Sequence, residues 1–288
     1  MISIPTLGII VNTEKEQAVS LARRFLQFME ERSVPCLVEA GAADILNRPD
    51  RGAELGELRA EADYAVIFGG DGTMLRTAGR FCGTDIPLLG VNAGSLGFMT
   101  VIESETLLEA ADDLLSGNFS TAERMMIEAV VLREGEEIYH CHGLNDVVIS
   151  RGDNQNLINL DFYIDDEYIA SYQGDGMIAS TPTGSTAYSL SAGGPIINPE
   201  LDVMLLTPIC PHNLYIRPMV IRGEERVSVE VGIKTGYIKI STDGRCDHTL
   251  IDGDEIILKK SSYSVRMVNF PGRNFYRILR EKMKLGTF

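Results

Sequence analysis

The segment Phe68-Gly69-Gly70-Asp71-Gly72-Thr73 sets three glycines and a hydroxyl around one carboxylate. Glycines carry no Cβ, so the backbone turns tightly there and comes close to a ligand. Successive backbone N–H groups beside a helix start make an anion cradle. An acid inside that cradle is an electrostatic contradiction, because it repels the phosphates the amides attract. Asp71 is therefore expected to hold a metal ion or to take a proton. The loop has neither the Gly-Lys-Ser/Thr of a Walker A motif nor the G-x-G-x-x-G of a dinucleotide-binding turn. Taken alone, it also fits an Asp-Gly β-turn.

Three further segments carry polar groups in useful patterns. Gly90-Val91-Asn92-Ala93-Gly94-Ser95-Leu96-Gly97-Phe98 is a second glycine turn after an apolar run. Ligands of open parallel sheets gather at the carboxyl ends of strands, so two such turns on adjacent strands would line one crevice. Asn145-Asp146 opens the run Val147-Val148-Ile149-Ser150 and pairs an amide with a carboxylate. That pair suits an adenine edge or ribose hydroxyls, and equally a turn entering a strand. Residues 174–189 crowd three glycines, a proline and an acid with many hydroxyls, as a closely wrapped polar ligand requires. A Ser/Thr-rich turn capping a helix is the plainer reading of the same residues. Gly193-Gly194-Pro195 would end that helix.

The histidines say less. His140 and His142 flank Cys141 and would project from one strand face as half of a zinc site. No third ligand lies nearby in sequence, so they read as partly exposed strand residues. His212 fits a structural role as well as a ligand contact. Neither a Ser-His-Asp nor a Cys-His pattern stands out.

These segments need a scaffold, and the chain predicts two kinds. Up to about residue 120, apolar runs at 7–11, 36–38, 64–68 and 87–92 read as four strands. Ala18, Leu21, Ala22, Phe25, Phe28 and Met29 recur at helical spacing between the first two. Leu107, Leu108, Ala111, Leu114 and Leu115 mark another helix that stops near Gly117-Asn118. The expectation is an α/β nucleotide-binding domain over 1–120 with a mostly parallel sheet. From 121 to 269 the texture alternates with period two, and Asp165-Asp166 marks a tight hairpin, which predicts an all-β sandwich. Residues 270–288 turn helical again and are expected to rejoin the first domain.

At 288 residues, the chain is long enough for two cores. Its net charge of -15 argues against nucleic acid, whose binding leans on a basic footprint. No apolar run approaches the roughly 18 to 20 residues of a membrane span. The N-terminal segment lacks the basic start of a secretory signal. Five scattered cysteines without a CxxC pair fit free thiols and a cytoplasmic location.

These pieces in this order resemble the NAD kinases, which phosphorylate the adenosine 2′-hydroxyl of NAD. The likeness runs from Leu7-Gly8-Ile9 through 69–73, 90–98 and Leu144-Asn145-Asp146 to 180–195, 207–218 and Phe275-Tyr276. Lipid kinases and phosphofructokinase-like enzymes share turns like GGDG. The run Ser180-Thr181-Pro182-Thr183-Gly184-Ser185-Thr186-Ala187-Tyr188-Ser189-Leu190-Ser191-Ala192-Gly193-Gly194-Pro195 is specific and decides the resemblance. It implies an active site between the two domains, completed by a homodimer or homotetramer. By the same resemblance Asp71 acts on the ribose hydroxyl as general base or orienting group. Mg²⁺ and the glycine amides would handle the phosphates of ATP or polyphosphate. Asn145 and Asp146 would bind the nucleoside, and Thr186, Ala187, Tyr188 and Ser191 would pack around the dinucleotide. Asp175 would reach it from a neighbouring subunit or domain, and Gly72, Arg76, Gln173, Ser189 and Arg245 complete the implied binding set.

Three positions depart from the family pattern. Asp146 stands where Glu is frequent and keeps its charge. Gln173 stands where many members carry an arginine associated with selectivity for oxidised NAD, so acceptance of NADH is expected. Arg245 stands where glutamine is usual. Two other functions compete: a diacylglycerol- or sphingosine-type lipid kinase, and a non-catalytic NAD(P)-sensing protein. A lipid kinase should show an apolar cleft or a basic membrane-facing patch, which this acidic chain does not advertise. The intact Asp71 speaks against a mere sensor.

Overall fold

A computed structural model describes residues 4–152, 156–233, 236–272 and 274–283, with only the backbone of residues 246 and 247. The chain divides into two compact units, Met1–Glu123 with Val265–Phe288, and Arg124–Ser264.

The first unit is built on parallel strands. In chain order its elements are β1 (Leu7–Val11), α1 (Glu16–Glu31), β2 (Cys36–Glu39), α2 (Ala40–Ala43), β3 (Gly52–Ala53), α3 (Leu55–Glu61), β4 (Tyr64–Gly69), α4 (Asp71–Arg80), β5 (Leu88–Asn92) and α5 (Leu107–Ser116). The strands lie in the order β5-β4-β1-β2-β3. Strands β1 and β5 are buried along their whole length, as strands covered on both faces must be. That burial is why they read as unbroken apolar runs rather than alternating ones. Helix α1 turns Ala18, Val19, Leu21, Ala22, Phe25, Leu26 and Met29 inward, and the Phe25 ring meets Phe68 of β4 edge-on at 5.5 Å. Gly117 ends α5 in the left-handed conformation, φ 76°, the usual helix stop for a residue without Cβ.

Two elements here have no sequence signature. β3 is only two residues long, too short for periodicity, so the run at 64–68 forms the fourth strand rather than the third. Helix α3 buries Leu58 alone and is fixed by a capping box between Glu54 and Glu57. Helix α4 begins inside the first glycine turn, at Asp71 itself.

The second unit is antiparallel. Its strands are β6 (Ser120–Arg133), β7 (Glu136–Gly143), β8 (Asp146–Ser150), β9 (Ile158–Ile164), β10 (Glu167–Gly174), β11 (Gly176–Ser180), then a short helix α6 (Tyr188–Ser191), β12 (Val203–Ile209), β13 (Met219–Arg222), β14 (Val227–Gly232), β15 (Ile238–Thr242), β16 (Arg245–Leu250) and β17 (Glu255–Asn269). One sheet runs β13-β12-β11-β8-β15-β16, and β10-β9-β14 with the start of β17 belong to the other. Alternate residues of both, among them Val147, Ile149, Leu160, Phe162, Val229, Ile238 and Ile240, point into a shared core. The fold is therefore an α/β unit followed by a β-sandwich. Asp165 and Asp166 both have positive φ, 47° and 67°, as a two-residue hairpin turn between β9 and β10 requires. The far end of β17 returns to the first unit, where Met267 pairs with Leu88, and α7 (Phe275–Lys282) follows. The expected closing segment 270–288 extends past the described residues. Among the described residues, no helix is long and apolar enough to cross a membrane.

Candidate active site

In the first unit, parallel register places the ends of β1, β4 and β5 side by side, with Val11 opposite Phe68 and Phe68 opposite Val91. The loops that follow these strands therefore meet. Asp71 is the first residue of α4, where the helix dipole favours a negative charge, and Gly70 before it offers no side-chain cap. Its carboxylate is itself held by amides: Phe98 N–H donates to Oδ2 at 2.8 Å and Met99 N–H to Oδ1 at 3.0 Å. The acid in the cradle is thus no contradiction, since the second glycine turn supplies donors to it. Gly97 makes that approach possible, because a Cβ there would lie 2.1 Å from Asp71 Oδ1. Gly72 and Arg76 are exposed on the first turns of the same helix.

Two cations that sequence reading passed over stand beside these turns of the first unit. Lys15 Nζ donates to Ala93 O at 3.3 Å and stands beside Gly70 and Gly94. Its signal was its place just past β1, the neighbour of β4 in the sheet. Lys282, at the end of α7, lies 4.0 Å from Asp71 Oδ2 and 4.5 Å from the centre of the Phe98 ring. Phe275 of the same helix also packs near Phe98, at 6.3 Å between rings. Asn92 donates to Gly94 O at 3.0 Å, while its buried Oδ1 has no hydrogen-bond partner among the described residues.

The second unit gathers another set. Asp243, at the turn between β15 and β16, has φ 51° and accepts three backbone N–H bonds, from Leu144 at 2.9 Å, Asn145 at 2.7 Å and Asp146 at 3.2 Å. The segment 180–189 is stitched to the same place. Thr181 N–H donates to Asn145 O at 2.9 Å, and Thr181 Oγ1 donates to Leu144 O at 2.6 Å. Gly184 then packs so close that a Cβ would lie 2.1 Å from Asn145 O. Only glycine fits there.

Asn145 and Asp146 are buried, at 7% and 4% exposure. Burial, reinforced by the Asp243 charge, pushes the Asp146 carboxyl up to about 7. Burial also raises Asp243 despite its three amide donors, and the nearby Arg245 guanidinium pulls it back. Asn145 Oδ1 and Thr183 Oγ1 are buried with no hydrogen-bond partner among the described residues. Buried polar atoms are rarely left so.

Of the remaining expected residues, those of 186–191 follow these turns, whereas Gln173 and Asp175 lie at the opposite end of β11, since Ser180 pairs with Asp146 but Gly176 pairs with Ser150. Thr186 and Ala187 are half-buried, whereas Tyr188 and Ser191 are exposed on α6. Ser189 is fully enclosed and its hydroxyl engages Thr207 Oγ1 at 2.8 Å. Gln173 is exposed near the end of β10, and Asp175 pairs with Arg151 at 2.7 Å.

Known proteins give this geometry its meaning. Residues 7–119 match the family model for the ATP-NAD kinase N-terminal domain, and 144–270 that for the ATP-NAD kinase C-terminal domain. The chain belongs to the NAD kinase family. An NAD kinase of Heliobacterium modesticaldum is 40% identical over 284 residues, covering 98% of this chain and all of that protein. One from Moorella thermoacetica is also 40% identical, covering 97% of this chain and 89% of that protein. The crystal structure of yeast NADH kinase complexed with NADH superposes with a TM-score of 0.90 at 26% identity, covering 99% of this chain and 89% of that one. An Archaeoglobus fulgidus NAD kinase, solved in complex with ATP, shares the fold at TM-score 0.74 and 22% identity, covering 97% and 98%. The activity is that of an NAD kinase, a phosphotransferase with an alcohol as acceptor.

Gly97→Ala should displace the Asp71 carboxylate and lower kcat by about 10²-fold, the scale of a misplacement near 1 Å. Steady-state kinetics beside a thermal melt will show a large kinetic loss and a small one in Tm; unchanged kcat refutes the clamp. Asp146 predicts an opposite pH signature. Its carboxyl is raised in the folded state, so stability falls as pH climbs from the unfolded value near 4 towards about 7. Asp146→Asn removes that dependence. Melts between pH 4 and 8 should show the variant gaining on the parent protein across the window, whereas parallel curves refute the raised carboxyl.

Proposed function

We propose that the protein transfers the terminal phosphoryl group of ATP to the adenosine 2′-hydroxyl of NAD, with Asp71 acting on that hydroxyl. The observation that carries this reading is the amide clamp, which fixes the Asp71 carboxylate through Phe98 and Met99 before any substrate arrives. Each oxygen takes one backbone donor and keeps a further lone pair. In the transfer, the bond from the terminal phosphorus to the donor's bridging oxygen breaks, and a bond to the ribose oxygen forms. The hydroxyl proton passes to the Asp71 carboxylate. An ordinary carboxylate is a weak base for a hydroxyl, so orienting the oxygen is the larger part of the role. Positioning and charge neutralisation carry most of such transfers.

Lys15 and the glycine turns at 69–73 and 90–98 meet the donor phosphates in this reading. The half-exposed Asp71 carboxylate fits Mg²⁺, which binds through one or two carboxylates and the substrate's phosphates. Asp71 is the residue that would hold the ion, whose charge offsets that of the donor. Asn145 and Asp146 bind the nucleoside, where Asn145 Oδ1 and Thr183 Oγ1 await partners. Thr186, Ala187, Tyr188 and Ser191 line the dinucleotide, and Ser189 holds their turn in shape. Asp175 contacts the ligand held by a neighbouring copy of the chain, and Gly72 and Arg76 meet the donor side. Free thiols at Cys36, Cys82, Cys141 and Cys210 support a cytoplasmic location. The exposed Leu214 and Tyr215, at 83% and 92%, support self-assembly into a homodimer or homotetramer.

Gln173 supports acceptance of NADH: a neutral, exposed side chain does not discriminate against the uncharged reduced nicotinamide. The similar yeast structure is that of an NADH kinase.

The deciding assay measures NADP and NADPH formation by the purified protein with Mg²⁺, comparing ATP with polyphosphate and NAD with NADH. Asp71→Asn should lower kcat on the order of 10²- to 10⁴-fold while the Kd for NAD stays within error. Unchanged turnover overturns the role of Asp71. In the same assay Gln173→Arg should shift the kcat/KM ratio roughly tenfold towards NAD, a change of about 1.4 kcal/mol. An unshifted ratio removes Gln173 as the source of NADH tolerance.

A further inference from the structure

The histidine pair that sequence analysis left as ordinary strand residues acquires a third partner in the sandwich unit. Strands β6 and β7 form an antiparallel hairpin in which Glu128 faces His142 and Val130 faces His140. Glu128, His140 and His142 thus share one face, while Cys141 turns the other way and receives a bond from Thr242 Oγ1 at 3.0 Å. One ligating atom from each of the three lies within 4.8 Å of the other two.

We propose that Glu128, His140 and His142 bind a divalent cation of the zinc class. Three features beyond proximity support this. His140 Nε2 is 3.0 Å from Glu128 Oε1, close to the separation of about 3.4 Å that two ligands keep on a tetrahedral ion. His142 has its other ring nitrogen engaged, with Ser261 Oγ 3.0 Å from Nδ1, and the Glu137 carboxylate stands 3.7 Å from His140 Nδ1. An outer partner on the second nitrogen is what orients imidazoles at metal centres. Finally, Glu128 is 8% exposed and its carboxylate already draws a cation, with Lys259 Nζ 3.3 Å from Oε1.

The donor set selects the ion. Two imidazoles and one carboxylate favour zinc, cobalt or nickel over magnesium, which prefers oxygen throughout. The site therefore does not take the Mg²⁺ proposed for phosphoryl transfer, and three protein ligands leave a fourth position for water. Its effect is to pin β6 and β7 to each other in the sandwich.

Untagged protein stripped with chelator, then titrated with Co²⁺ as the probe, tests this. The expected result is one tightly bound Co²⁺ per chain with the intense visible bands of a four-coordinate ion, and a rise in Tm. His140→Ala/His142→Ala should bind at least ~100-fold more weakly, with Mg²⁺-dependent kinase activity retained as evidence of folding. Glu128→Gln, a conservative change, should also lose the bands. Lys259→Met should tighten binding by roughly tenfold, because a competing cation is gone. Equal Co²⁺ affinity in the parent protein and the double histidine variant overturns the site, as does weaker binding in Lys259→Met.

Discussion

A backbone N–H turned inward needs an acceptor, and at two turns of this chain the acceptor is a carboxylate from a distant segment. The amides of Phe98 and Met99 meet Asp71, and those of Leu144, Asn145 and Asp146 meet Asp243. Each pairing fixes a loop that regular secondary structure does not hold. Charge-assisted bonds of this kind are roughly twice as strong as neutral ones, so a few of them suffice to set side-chain positions before substrate binds. The glycines follow from the same constraint. Gly97 and Gly184 are required because the bonded segments come closer than a Cβ allows.

The clamp also explains how an acidic protein handles anionic substrates. A net charge of -15 opposes them at long range, but screening weakens that field beyond about 10 Å at ordinary salt. Within contact distance the balance differs. Asp71 has amides and Lys282 around it, and Lys15 stands at the neighbouring turns. Asp146, buried beside Asp243, holds its charge only part of the time near neutral pH.

Much of the architecture was readable from residue patterns because it rests on local periodicity. Strand β1 and helix α1 declare themselves in Leu7-Gly8-Ile9-Ile10-Val11 and in the stripe from Ala18 to Met29. β3 and α3 do not, since two residues have no period and a helix burying only Leu58 has no apolar stripe. Asp71 was visible by its neighbours, but its donors lie 27 and 28 residues further along the chain, and no pattern in either segment announces the other. Lys15 was hidden for the same reason, being an ordinary surface residue by composition. Glu128 escaped notice because only the β6–β7 register, not sequence distance, brings it to His142. What sequence conveys poorly is pairing across long loops.

The polar pocket of the sandwich unit is costly to maintain in the empty protein. Asn145 Oδ1 and Thr183 Oγ1 lack partners, and each buried orphan costs about 1–3 kcal/mol. Asp146 adds the expense of an acid kept from water next to another acid. A fold selected for stability alone would place apolar residues there, since such replacements are often neutral or stabilising. In the proposed function, a nucleoside's ribose hydroxyls and exocyclic amine supply the missing donors, so its binding would relieve what folding left unfavourable. The selectivity of such a pocket then comes from the groups left unpaired when a wrong ligand enters, which penalises analogues lacking a hydroxyl far more than it rewards extra apolar contact.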